Sequence, residues 1–251
     1  EVGTTNRTRL ADYQTAHQAH DVALLLKVHP SNYRISGFTE DTSVKSLATL
    51  EVPLAVDLGS GLIDNACSWL RDGRPPWLGD EPAVKQTLEE GADLVTFSCD
   101  KLFGGPQAGV IAGRGDLVEA CAIHPLMRAF RPGALVLNAL QQTALAYLRR
   151  DGDAIPFWRM AQTSVSELLS RAEALGVGRP IQTVAMTGGG SLPGEHIPSA
   201  GVEIAGDISQ LLRDADTPVI ARVQDQTTVI DLRTVDPSDD SLVADAVASS
   251  T

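Results

Sequence analysis

The sequence predicts an α/β chain built in two parts, and three observations carry that expectation. Up to about residue 150, apolar, β-branched runs alternate with helical stretches, the order that builds a parallel sheet with covering helices. The tripeptide Asp151-Gly152-Asp153 then breaks the pattern. Beyond it come short, closely spaced strands, as in a small α/β domain with a largely antiparallel sheet. Residues 1–150 are therefore read as part of a large domain with a mainly parallel sheet, and residues 151–251 as a small C-terminal α/β domain.

Residues 1–8 (EVGTTNRT) read as the tail of a strand entering a polar loop, with a helix from about Leu10. The run 22–28 (VALLLKV) has the continuous apolar character of a strand covered on both faces. Its polar tail, His29 to Tyr33, marks either a plain turn or the carboxyl edge of a sheet, where open α/β folds bind ligands. A short helix over 43–50 leads to a strand at 52–56 that ends in Asp57, Leu58, Gly59, Ser60 and Gly61. Residues 62–80, with Pro75, Pro76 and Gly79, are irregular, and Pro82 sits near the first turn of a helix reaching Glu90. Residues 94–97 form a further buried strand. It stops at Ser98, Cys99, Asp100 and Lys101, and Gly104, Gly105 and Pro106 force a tight turn. A strand at 108–112, a helix at 116–123 broken by Pro125, and a long apolar helix at 135–148 complete the first part.

In the second part, Val165, Leu168, Leu169, Ala172 and Leu175 form one stripe of a helix, with Ser164 and Glu167 as a capping box and Gly176 as the stop. Strands follow at 182–186 and 201–204, a helix at 208–213, strands at 219–223 and 228–232, and a last helix from about Leu242.

Composition excludes several function classes. A net charge of -12 argues against this segment gripping a nucleic-acid backbone by itself, because counterion release needs clustered Lys and Arg. No apolar run is long enough for a membrane span and no signal segment is present, which reads as cytoplasmic. Cys67, Cys99 and Cys121 are widely spaced with no CxxC, so neither a disulfide framework nor a zinc site is indicated. His17 and His20 lie three apart but lack a carboxylate to complete a metal site. No metal is expected. The chain opens on Glu1, and is read as a piece of something longer.

Asp57 and Lys101 each end a buried strand, and consecutive βαβ units bring such ends to one edge of a sheet. A pyridoxal 5'-phosphate enzyme needs that pair. Its lysine joins the cofactor aldehyde, its carboxylate keeps the ring nitrogen protonated, and a serine such as Ser98 can hydrogen-bond the phosphate. As a pattern alone the pair stays open, because strand-end aspartates also cap helices and loop lysines are common.

Seven strings narrow the choice. GTTNRT (3–8), KVHPSNYRI (27–35), DLGSG (57–61), DKLFGGPQAG (100–109), GGGSLPG (188–194), PVIAR (218–222) and IDLRTV (230–235) run in family order across nearly the whole chain. Together they resemble the bacterial selenocysteine synthase family, the L-seryl-tRNA(Sec) selenium transferases. The resemblance implies a pyridoxal phosphate enzyme of the aspartate aminotransferase fold type (fold type I), with residues 1–150 as the C-terminal part of its cofactor-binding large domain. It implies that Lys101 is the Schiff-base lysine and Asp57 the pyridine partner. The implied reaction converts L-seryl-tRNA(Sec) to L-selenocysteinyl-tRNA(Sec) with selenophosphate, by β-elimination to an aminoacrylate and addition of selenium. Arg128 and Arg131 match the arginines that receive the anionic selenium donor, and would share one face if helical. Arg222 is a weaker candidate for the aminoacyl end of the substrate, or equally a structural ion-pair partner.

The departures are as informative. Cys99 stands where the family usually has glycine, which would stiffen the loop and bring a thiol close to the cofactor. The resemblance implies an N-terminal tRNA-recognising domain, a glycine-containing stretch that cradles the cofactor phosphate and a residue that stacks on the ring, all expected to lie outside these 251 residues. The 251-residue piece is therefore expected to hold the cofactor poorly and to be inactive alone, whatever its parent does. Resemblance further implies a homo-oligomer, a ring of dimers. A related lyase acting on a small amino acid, and a non-catalytic oligomerising module of the same fold, are the competing readings.

Overall fold

The computed structural model describes residues 1–250, which fall into two compact units. One comprises Glu1–Ile155 together with Gly188–Pro193, and the other Pro156–Thr187 together with the residues from Gly194 onward.

The first unit runs α1 (Leu10–Ala19), β1 (Leu25–Val28), α2 (Val44–Ala48), β2 (Leu54–Gly59), α3 (Val84–Glu89), β3 (Leu94–Ser98), β4 (Gly109–Gly113), α4 (Gly115–Ile123), α5 (Pro125–Phe130) and α6 (Ala134–Arg149). Its sheet has the order β1-β2-β3-β4, with the first three strands parallel and β4 antiparallel to β3. Alternation decides what each strand does. Leu54, Val56 and Leu58 of β2, with Val95 and Phe97 of β3 and Cys99 just beyond it, are buried with Leu25, Leu47 of α2 and Val84 of α3. Ala55 and Asp57, in register with Leu94 and Thr96, occupy the other face.

That face corrects one expectation. The run around β1 is not covered on both sides: Leu24, Leu26 and Val28 are 50%, 58% and 60% exposed. β1 is the end strand of this sheet, so only the residues turned to the core, such as Leu25, are sealed. The opening segment is not a strand tail either. Thr4 and Arg7 close a tight turn, and Thr8 N donates to Glu40 O at 2.9 Å while Glu40 N donates to Asn6 O at 3.0 Å, tying the segment to a loop rather than to the sheet.

The second unit runs α7 (Pro156–Gln162), α8 (Val165–Ala174), β5 (Arg179–Ala185), β6 (Ile197–Ala205), α9 (Ser209–Arg213), β7 (Arg222–Gln224), β8 (Thr227–Asp231) and α10 (Asp240–Ser250). Its sheet is antiparallel throughout, in the order β5-β6-β8-β7. Ala200, Val202 and Ile204 of β6 pack with Leu168 and Ala172 of α8, Leu212 of α9, and Val243 and Val247 of α10. Ser164 caps α8 as expected, its Oγ accepting from Glu167 N at 3.1 Å. β7 is shorter than the apolar run 219–223, because Val219 N donates to Leu212 O at 2.9 Å and has no strand partner. Among the described residues no helix is long and apolar enough to cross a membrane.

Candidate active site

Two loops at the carboxyl ends of β2 and β3 make the site, and they are bonded to each other. Leu102 N donates to Ser60 O at 2.9 Å. Gly61, in the left-handed region at φ 78°, lies so close to β3 that a Cβ there would stand 2.6 Å from Ser98 O. The lysine turn closes on itself as Gly104 N donates to Lys101 O at 2.9 Å and Gly105 N to Cys99 O at 2.7 Å. From α6, Tyr147 Oη donates to Phe103 O at 3.0 Å, and its ring stacks on Phe103 at 5.2 Å and meets Trp69 edge-on at 4.8 Å. The backbone at Lys101 is thus fixed from three sides.

The Lys101 side chain is as closely held. Nζ donates to Oγ of the buried Ser31, in the loop after β1, at 3.1 Å. Ser31 Oγ lies 2.7 Å from where a Cβ on Gly59 would stand, and Lys101 Nζ lies 3.6 Å from the same point. Over the aliphatic stem passes Gly190, whose added Cβ would lie 3.1 Å from Lys101 Cε. GGGSLPG, far along the chain, therefore supplies residues 188–193 to the first unit and to its lysine.

Asp57 is two residues before Gly59 on β2, and its Oδ1 accepts from Thr96 Oγ1 of β3 at 2.9 Å. The parallel register Asp57↔Thr96 puts both side chains on the partly open face of the sheet. Among the described residues no ion pair joins Lys101 to Asp57, so amine and carboxylate stand at one strand-end edge without neutralising each other. Ser98 is half-buried, paired with Gly109 across β3 and β4, on the face shared by Leu94 and Thr96.

Cys99 goes the other way. Its thiol is sealed in the core with Val95 and Phe97, and burial, followed by the charge of Asp100, pushes it up to about 11. The expectation of a thiol beside the cofactor is corrected: strand alternation sends residue 99 to the face opposite Asp57.

The arginines divide. Arg128 is exposed on α5, while Arg131 follows that helix in extended backbone (φ -61°, ψ 123°), so the two do not share a helical face. Neither makes a hydrogen bond or ion pair among the described residues. Arg222, in the second unit, is tied into its own sheet: Nη1 donates to Val184 O at 2.9 Å, Nη2 to Thr183 Oγ1, and Asp231 lies 3.9 Å away.

Two features went unmarked in the sequence. Ser31 lies seventy positions from the lysine it holds. Glu81 is buried, with Oε2 at 3.5 Å from His29 Nε2 and Oε1 without a hydrogen-bond partner among the described residues. Among the described residues no cluster of His, Cys, Asp and Glu could hold a metal ion.

The chain is similar to known proteins along nearly its whole length. Residues 1–236 match the family model described as SelA: L-seryl-tRNA selenium transferase. The chain is 42% identical over 98% of its length to the L-seryl-tRNA(Sec) selenium transferase of Moorella thermoacetica, covering 56% of that protein. It is 37% identical to those of Alkaliphilus oremlandii, over 98% of the chain and 56% of the relative, and of Mannheimia succiniciproducens, over 94% and 54%. The chain thus spans about half the length of the curated relatives it matches. In fold it is similar to the solved structure of D-glucosaminate-6-phosphate ammonia-lyase, with a TM-score of 0.59 at 20% identity, covering 100% of this chain and 63% of that one.

Proposed function

The chain belongs to the L-seryl-tRNA selenium transferase family, and from that membership we infer that the protein it is part of converts L-seryl-tRNA(Sec) to L-selenocysteinyl-tRNA(Sec) with pyridoxal 5'-phosphate. The observation that carries the reading is the Lys101 amine, held by a neutral hydroxyl at the same strand-end edge as an aspartate with which it makes no ion pair. Those residues fit the cofactor. Gly59 and Gly190 let Ser31 and the backbone approach the amine and its stem where a side chain would displace them, and the amine and carboxylate remain unpaired with each other for a molecule that needs an amine at one end and a carboxylate at the other.

When bound, the cofactor supplies an aldehyde for the amine and a ring that accepts electrons from the substrate's Cα. Lys101 would hold the aldehyde carbon through Nζ, Asp57 would pair with the protonated ring nitrogen, and Ser98 would donate to the phosphate. Displaced by the substrate's amino group, the Lys101 amine is placed to take the proton from Cα of the seryl group and later to return one. Between those transfers the Cβ–O bond would break to release hydroxide, selenium of the donor would bond to Cβ, and water would cleave the selenium–phosphorus bond to release phosphate. Arg128 and Arg131, which make no hydrogen bond or ion pair among the described residues, would hold the selenophosphate anion. Arg222 would do the same for the aminoacyl end only by exchanging its contacts with Thr183 and Val184.

Recognition of tRNA is assigned to the part of the family's length outside this chain, since a net charge of -12 suits no backbone-binding surface. Assembly as a ring of dimers is supported by large apolar side chains left open on α4 to α6: Ile123 at 78%, Phe130 at 71% and Leu135 at 89% exposure. The test is Lys101→Ala in the full-length protein. Selenocysteinyl-tRNA formation is expected to vanish while the substrate is still bound, and undiminished formation would remove the reading.

A further inference from the structure

The loop after β1 carries a hydroxyl with no task in the scheme above. Ser31 is 6% exposed, its N–H is used by His29 O at 2.8 Å, and its Oγ is the hydrogen-bond partner of Lys101 Nζ. Its backbone is anchored as well. His29 N donates to Asp57 O at 2.8 Å, extending the pairing of β1 with β2, and the His29 ring faces the buried Glu81. A flexible lysine stem would otherwise sample many rotamers, and immobilising a rotamer-rich side chain on binding costs affinity. Here that ordering is done before any ligand arrives, by Ser31 at the nitrogen and Gly190 along the stem.

We propose that Ser31 is a positioning residue for Lys101: its hydroxyl fixes the amine where a carbonyl ligand must be met, and so sets the protein's preference for an aldehyde-bearing ligand. The proposal rests on the reading that Lys101 is the group that bonds the cofactor. In that step Nζ, having released a proton, bonds to the aldehyde carbon, and the aldehyde oxygen leaves as water. The Ser31 hydroxyl is hydrogen-bonded to the amine, so its removal should act on the bond the amine makes rather than on ring or phosphate contacts.

This separates it from a merely structural residue. The experiment measures equilibrium binding to the purified full-length protein of pyridoxal 5'-phosphate and of pyridoxine 5'-phosphate, which keeps ring and phosphate but has an alcohol where the aldehyde was. Ser31→Ala should weaken the aldehyde ligand by up to about tenfold, because the freed lysine stem must be ordered again on binding, while leaving the alcohol within about twofold. Gly190→Ala, which presses a methyl on the stem instead, should give the same selective loss. A Ser31→Ala protein that keeps the full preference for the aldehyde, or loses both ligands equally, overturns the proposal. A wild-type protein with no preference between the two ligands, or a Lys101→Ala variant that keeps the wild-type preference, would instead overturn the reading of Lys101.

Discussion

Tyr147 allows the tightness of the lysine turn to be measured. Its hydroxyl points at Phe103 O (3.0 Å) and Leu102 O (3.3 Å), and one proton serves both, so Tyr147→Phe removes about one hydrogen bond. The ring contacts with Phe103 and Trp69 survive the change. One net hydrogen bond contributes about 1 kcal/mol, and in a chain of this size that is about 2–4 °C in Tm. Tyr147→Ala also empties the space between Phe103 and Trp69, so its cost should rise to about 3–5 kcal/mol. Denaturant unfolding of the two variants, followed by near-UV circular dichroism, gives both numbers. Because the affected carbonyls directly follow Lys101, Tyr147→Phe should also slow capture of the Lys101 amine by an aldehyde reagent, while Lys45 on the exposed side of α2 reacts unchanged. If Tyr147→Phe changes stability by less than about 0.3 kcal/mol and leaves the Lys101 rate alone, α6 does not hold the turn and the three-sided fixation described above is wrong.

The buried thiols give a pH dependence. Burial raises both Cys67 and Cys99 to about 11, so between the ordinary thiol value near 8.5 and about 11 the unfolded chain loses protons that the folded chain keeps. Their contribution is complete below about pH 8.5 and is lost as pH rises to about 11, with a ceiling of about 3 kcal/mol per thiol. Cys99→Ala, though less stable overall, should flatten the fall in denaturation midpoint over that window, and an unchanged slope would contradict the assignment. Thr96→Val strips the hydroxyl from Asp57 Oδ1 without changing shape, and should weaken binding of either ligand by a factor of about three to ten, read by equilibrium dialysis. Equal binding by wild type and variant would show that Asp57 needs no support. Gly61→Ala combines a left-handed φ with a Cβ 2.6 Å from Ser98 O, and should cost at least about 2 kcal/mol; Gly188→Ala, with φ 106° but nothing within 4 Å, should cost only the backbone strain of about 1 kcal/mol. Equal melting points for the two would refute the close approach of the loops.

The strand ends were legible in the sequence because a buried parallel strand must be apolar up to the residue where it leaves the core, so Asp57 and Lys101 stand out against Val52 to Val56 and Leu94 to Phe97. Less legible was which side each residue takes. Leu94 to Phe97 reads as one buried run that stops at Ser98, yet Val95 and Phe97, with Cys99 beyond them, enter the core while Thr96 and Ser98 do not, and only pairing with β2 reveals it. Register shifts between Asp57 and Gly59, which no local pattern announces. Arg128 and Arg131 have helical spacing, but α5 ends at Phe130 before the second is reached. Ser31 was the hardest, since a serine after a strand is an unremarkable turn residue until Lys101 is brought against it.

What the lysine requires explains why two of the quoted strings lie so far from it. A reactive amine must be pointed without being neutralised, and a carboxylate partner would point it only by pairing its charge. A hydroxyl and a glycine avoid that cost. Ser31 of KVHPSNYRI holds the nitrogen through a neutral oxygen, and Gly190 of GGGSLPG lets backbone lie along the methylenes where any larger residue would push them aside. Asp57, the nearest acid along β2, is kept apart by engaging Thr96 instead. Each of the three segments therefore contributes a constraint on one side chain, and none of them carries that constraint in its own local structure; this is why the motifs read as unrelated loops in the sequence and as one cradle in the fold.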